Sequence, residues 1–245
     1  MFSNKLRMLT GVTAMSVSAL TSSGALAQEE DLSFSFSLNH DAFFGTNPFL
    51  GATYSTDNGY DLTAYGIQWG TGTGSAWGQW TEAGVGIGFE AFDGALYINP
   101  QIGFTFGSLL SSGAAEDGII GDGIVPNLTM TLDTDRWEGQ FYYGFYADLE
   151  DNTQPGGTTN EYVHYWANFG GKFGQYFSAG LHFEELYLDG GTNVGQLDGY
   201  QWFGPYVQVA KGNAGLRLSF GDDLTDDATS FSTNDFYKLQ FFFNF

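Results

Sequence analysis

The residues of this chain best suited to move protons or hold a metal are His164, His182 and Glu184. Zinc requires three or four convergent nitrogen, oxygen or sulfur ligands. The two histidines fall on neighbouring predicted strands, a few residues apart in register, which is a poor ligand set. Ser178 lies on the strand of His182. A hydrolytic group needs an aligned serine, a histidine and oxyanion donors, and Ser178 sits one pleat away with no evident donors. A lipid hydrolase is therefore a third reading. The expectation is no enzyme, no catalytic residue, no metal and no cofactor. Carboxylates are the other candidates. Glu116, Asp117 and Asp122 lie in one Gly-rich stretch, Glu150 and Asp151 open another, and Asp222, Asp223, Asp226 and Asp227 fill a third. Hard cations take such oxygens, but the spacing matches no calcium loop, and a solvated loop face explains it. The stretch Gly70–Gly74 has no following lysine and is no phosphate loop.

The elements that must position these residues are strands. Beyond residue 30 the dominant pattern has period two, which places alternate side chains on opposite faces of a strand. Phe141, Tyr143 and Phe145 alternate with Gln140, Tyr142 and Tyr146. Phe177, Leu181 and Phe183 alternate with Ser178, His182 and Glu184. The polar set, Glu138, Asp148, His164, Trp166, Asn168, Lys172, His182, Glu184 and Arg217, is expected to point inward. A tight turn at Gly174–Tyr176 pairs Asn168 with His182 and Trp166 with Glu184. Matching across Glu150–Asn160 puts Glu138 beside Lys172 and Tyr146 beside His164. Gly84, Gly86 and Gly88 form an inward row that relieves crowding or permits bending.

A soluble sandwich also alternates, so three further features decide. About twelve strands can be drawn, counting a weak one at 48–55, each near the ~9–11 residues a tilted membrane strand needs. Their connections alternate in length. Those around Ser55–Tyr60, Glu90–Gly94, Asp133–Arg136, Gly174–Tyr176 and Lys211–Asn213 are short. Those around Asn39–Asn47, Gly70–Gln79, Gly107–Ile124, Glu150–Asn160, Asp189–Gly199 and Gly221–Asn234 are longer. That segregation is the pattern of an outer-membrane barrel. Next, Tyr237, Leu239, Phe241, Phe243 and Phe245 share one face of the last strand. An exposed run of this kind is an aggregation hazard in a soluble protein. It resembles the terminal signal that the barrel-assembly machinery reads. Finally, Trp69, Trp80, Trp137, Tyr165 and Tyr176 fall toward strand ends, where interfacial girdles sit.

Composition agrees. Aromatic residues make up 18% and charged residues 14%, with 36 glycines and no cysteine. A closed barrel satisfies its own backbone and needs no disulfide. Residues 1–27 read as a cleaved signal peptide, with Lys5 and Arg7 in the basic region and Ala25-Leu26-Ala27 at the cleavage site. No later stretch approaches a membrane helix. The formal net charge is −21, and losing a leader with those two cations and no acid takes it to −23. Nucleic acid is a poor partner for such a chain.

The stretches Asp93–Phe104, Gly123–Thr134, Glu161–Gly170 and Gly204–Gln208 resemble those of a family of uncharacterised proteobacterial outer-membrane proteins. That resemblance implies the fold and brings no activity with it. The expected molecule is all-β, an antiparallel transmembrane barrel of about twelve strands over residues 28–245, in the cell outer membrane. Its expected role is a passive porin-like channel for small hydrophilic or cationic solutes, cations following from acidic rings. The alternative is a non-conducting barrel whose acidic loops bind a partner, lipopolysaccharide or divalent cations. Outer-membrane lipid, lipopolysaccharide and the assembly machinery are the expected partners, with a small solute in the lumen.

Overall fold

The computed structural model describes residues 31–70, 80–106, 111–114, 120–149, 153–191, 195–225 and 234–245. The expected leader lies outside them, as do Glu116, Asp117, Glu150, Asp151, Asp226 and Asp227. Fourteen strands follow in chain order: β1 (Leu32–Asp41), β2 (Gly45–Ser55), β3 (Asp61–Trp69), β4 (Trp80–Ala91), β5 (Leu96–Phe106), β6 (Ser111–Ala114), β7 (Ile120–Asp133), β8 (Trp137–Asp148), β9 (Thr153–Thr159), β10 (Glu161–Phe173), β11 (Phe177–Gly190), β12 (Leu197–Lys211), β13 (Ala214–Asp223) and β14 (Asp235–Asn244). Twelve of them close into an antiparallel barrel in the order β1-β14-β13-β12-β11-β10-β8-β7-β5-β4-β3-β2, while β6 and β9 pair separately.

Closure runs through β1 and β14. Ser35 stands opposite Asn244 and Asp41 opposite Lys238. Phe34 and Phe245 exchange two backbone hydrogen bonds, at 2.8 and 3.1 Å, and their rings stack. No edge is left among the barrel strands, which is what hydrocarbon demands of a spanning sheet. The outward face is apolar and open: Val85 is 58% exposed and Val209 56%. A continuous belt of this kind would not be stable against water, and it fits lipid. The inward face carries Ser37, Asn99, Asn127, Asn168, Arg217 and Ser219, all buried.

Loop lengths segregate as expected, with one exception. The turns at 56–60, 92–95, 134–136, 174–176 and 212–213 are short and lie at the end that holds both barrel termini. At 212–213 Gly212 takes a positive φ of 59°, which a two-residue hairpin requires. At 134–136 the Thr134 hydroxyl accepts the Trp137 backbone N–H at 2.9 Å. The exception is the first connection at the opposite end. It was expected to be long, but β1 and β2 are joined by residues 42–44 alone. Asp41 explains this: its Oδ1 accepts the backbone N–H groups of Phe43 and Phe44 at 2.9 and 2.6 Å, closing a tight turn. The weak second strand is in fact a full one.

Two further expectations need correction. Trp137 is exposed on the outer face and Tyr176 is exposed in the 174–176 turn at the vestibule rim, but Trp80 is buried inside, and Trp69 packs with it. Period two shows which residues share a face, not which way that face points. Registers across 149–160 also differ. Glu138 lies opposite Gly170, and Tyr146 opposite Tyr162, both displaced by two from expectation. The connection holds a strand of its own, β9, and the pairing of β10 with β11 shifts register at Glu161/Tyr162. Loop length therefore cannot set the pairing. A shift of two preserves facing, so the inward set stays inward.

Candidate functional site

The barrel interior is layered along its axis. Toward the short turns is a vestibule of about 280 Å³, lined by residues that include Glu138, Lys172, Ser178 and Gln208. Glu138 on β8 accepts Ser178 Oγ at 2.8 Å, Tyr206 Oη at 2.9 Å and Gln208 Nε2 at 2.9 Å. Arg217 Nη2 lies 3.6 Å from the same carboxylate. The guanidinium also donates to Gln140 Oε1 and lies over the Tyr206 ring, 4.9 Å from its centroid. Arg217, Gln140 and Gln240 border both the vestibule and a second cavity of about 250 Å³ at mid-barrel. They form the partition between the two.

Glu184 sits beside the mid-barrel cavity and organises a charged cluster. Its Oε1 is 3.0 Å from His164 Nε2 and accepts the Tyr200 hydroxyl at 2.9 Å. Its Oε2 is 3.2 Å from His182 Nε2 and accepts Lys238 Nζ at 2.5 Å. His182 Nδ1 is 2.7 Å from Asn168 Oδ1. Glu184 and both histidines are buried. A carboxylate in such a place is tolerable only when paired and fully hydrogen-bonded, and these contacts meet that need.

Glu82 on β4 is satisfied differently. Tyr65 donates to it at 2.6 Å, Trp69 Nε1 at 3.2 Å and Tyr146 at 3.1 Å. The glycines beside it make this geometry possible. A Cβ on Gly84 would stand 2.4 Å from the Tyr65 ring and 2.6 Å from the Ile102 carbonyl oxygen, and one on Gly103 would stand 2.2 Å from the Tyr65 hydroxyl. The inward glycine row is thus the bed on which neighbouring rings lie.

Toward the longer connections the lumen is filled. Phe43 and Phe44, carried inward by the Asp41-capped turn, pack with Trp80, Tyr146, Tyr162, Leu186, Tyr200, Trp202 and Phe236. The ring centroids of Phe43 and Tyr200 are 4.9 Å apart, and Tyr200 stacks on Trp202 at 3.9 Å. Trp202 stacks in turn on Phe236 at 5.0 Å. The void left among these rings is about 20 Å³, enough for one water. The cluster draws on β4, β7, β8, β10, β11, β12 and β14, so the plug is held from most sides of the barrel.

Glu138 and Lys172 line the vestibule, His164, Trp166, Asn168 and His182 line the mid-barrel cavity, and Arg217 lines both; Asn168 stands opposite His182 and Trp166 opposite Glu184. Asp148 is half-buried opposite Gly123, at the plugged end. The expected Glu138–Lys172 pair is not formed. Lys172 pairs with Asp133 on the rim, and Glu138 with Arg217. Ser178 donates its hydrogen bond to Glu138, so it is not aligned with His182. Asp122, Asp222 and Asp223, read as loop residues, belong to β7 and β13. Residues that sequence reasoning missed are Asp41, Phe43, Phe44, Glu82, Tyr200 and Lys238. For Asp41 a signal existed, an aspartate just before two phenylalanines and a glycine. For Lys238 there was none, because it reaches Glu184 from a strand 54 residues away in sequence.

The family model for a family of unknown function (DUF6733) matches residues 3–245. The chain belongs to this family. No curated protein matches the sequence. Among solved structures, the COG4313 outer membrane channel from Pseudomonas putida F1 is similar at 11% identity, with a TM-score of 0.56, over 87% of this chain and 94% of that one. The KdgM porin aligns at 14% identity and a TM-score of 0.47, over 86% and 99%. LpxR from Salmonella typhimurium aligns at 10% identity and 0.49, over 86% and 99%. The first of these likenesses matches the fold, that of an outer-membrane barrel.

Proposed function

We propose that this protein is a passive outer-membrane channel for small hydrophilic or cationic solutes, closed in the present conformation by the Phe43–Phe44 turn. One observation carries the reading: two cavities stand in series along the barrel interior, each with charged and polar side chains in its wall, and a single aromatic layer lies between them and the longer connections. A barrel kept only as a scaffold would gain more from filling those cavities with side chains. Asp41, Glu82, Asp133, Glu138 and Glu184 share the interior with Lys172, Arg217 and Lys238, and the excess of acids favours cations over anions. The apolar outer belt supports an outer-membrane location. The outward row Tyr237, Leu239, Phe241, Phe243 and Phe245 lies on the strand that closes the barrel, which supports its role as the assembly signal.

The test is single-channel recording of the refolded protein in planar bilayers. The expected result is brief, infrequent openings with a cation-selective reversal potential, and steady conductance in a Phe43→Ala, Phe44→Ala variant. If both proteins are folded and silent, the channel reading fails. The surviving reading is then a non-conducting barrel that acts through its loops on a partner, lipopolysaccharide or divalent cations.

A further inference from the structure

We infer that the mid-barrel cavity is a binding site for one neutral, polyhydroxylated ring, a solute of monosaccharide class. This rests on the channel reading only in naming what the lumen would pass. The first observation is the arrangement of the walls. Phe49 and Tyr65 stack with centroids 6.2 Å apart and planes at 12°, on β2 and β3. Tyr142 and Trp166 stack at 6.0 Å and 21°, on β8 and β10. In the closed strand order these two pairs stand on nearly opposite walls, and all four residues line the same cavity. Between them β5 and β7 present Asn99 and Asn127. A pyranose ring has C–H faces that suit aromatic rings and a rim of hydroxyls that suits carboxamides, which both donate and accept. The cavity, about 250 Å³, has room for one such ring.

The second observation is unfinished hydrogen bonding. Asn127 is 7% exposed and uses its Nδ2 on Tyr65 and on the Val125 carbonyl, while its Oδ1 has no partner among the described residues. Arg217 is 6% exposed, and its Nε has none either. A buried polar atom without a partner is costly. Both residues line the cavity, and a hydroxyl, which donates and accepts, is the group that could complete one acceptor and one donor after a small side-chain adjustment. The third observation is charge. Glu184 is held by Lys238 and two histidines, Glu138 by Arg217, and Glu82 by three neutral donors. The charged groups named already have partners within the barrel, so a neutral solute binds without displacing an ion pair.

The experiment is calorimetric titration of the folded full chain in detergent with D-glucose and with sucrose, against choline chloride and sodium glucuronate. Saturable heat with a neutral sugar and none with the two ions is expected. Asn127→Leu should weaken that binding about fivefold, the scale of one lost hydrogen bond. Trp166→Leu should weaken it at least as much, and serves if Asn127→Leu fails to fold. No saturable heat with either sugar overturns the inference, as does binding of choline alone or sugar binding that neither variant weakens. Failure of the channel reading is separable. A silent bilayer with intact sugar binding removes only the channel, and a conducting barrel without sugar binding removes only this site.

Discussion

The two ends of the lumen solve the same problem in opposite ways. At the short-turn end the interior is wet: Lys172 and Asp133 pair with side chains 28% and 21% exposed, and the vestibule beside them stays open. Toward the longer connections the interior is dry, with Tyr200 and Glu184 fully buried under the rings of the plug. Charge is cheap in the first place and expensive in the second. The difference shows that the barrel wall alone does not set what fills the lumen: a turn of three residues, folded inward by Asp41, fills one end and leaves the other open.

If that contrast is right, removing charge should cost very different amounts at the two ends. Glu184→Leu removes a fully buried carboxylate and leaves the buried His164 and His182, and Lys238, without their shared partner, and a loss of about 3–5 kcal/mol is expected, read as the urea midpoint of refolding into detergent. Gly84→Val tests the layer between. The new side chain meets the Tyr65 ring and the Ile102 carbonyl, so overpacking of about 1–3 kcal/mol is expected, together with displacement of Tyr65 from Glu82, visible as a change in near-ultraviolet circular dichroism. Arg217→Met removes the partition. It should cost about 1–2 kcal/mol, since Glu138 keeps three neutral donors, and should join vestibule and cavity into one space. Lys172→Met, on the wet rim, should cost under ~1 kcal/mol in the same urea titration. A Lys172→Met effect as large as that of Glu184→Leu would erase the distinction between the ends.

Much of the fold was legible because membrane strands obey a strict rule. Phe177, Leu181 and Phe183 had to face lipid if Ser178, His182 and Glu184 did not, and the three-residue turn at 174–176 then fixed Asn168 opposite His182. The rule fails where an inward row is itself aromatic. Trp69 and Trp80 look like girdle residues in sequence, yet they turn inward because Gly84 and Gly103 leave room for Tyr65 beside them. The site was legible in membership and not in partnership. Which residues line the lumen follows from parity, but Glu184 meets Lys238, and Glu138 meets Arg217, across strands that no local pattern connects. The registers across 149–160 were hidden for a related reason, since β9 is paired with β6 and does not act as a simple loop.

The most direct test of the plug is the open time of single channels in the natural protein and in its Phe43→Ala, Phe44→Ala variant, recorded in the same bilayers and salt. The predicted result is a mostly closed natural barrel and a variant that is open at least tenfold longer, the shift expected if the rings hold the closed state by a little over 1 kcal/mol. Equal behaviour of two demonstrably folded proteins, whether both silent or both open, would contradict the assignment of Phe43 and Phe44 as the gate.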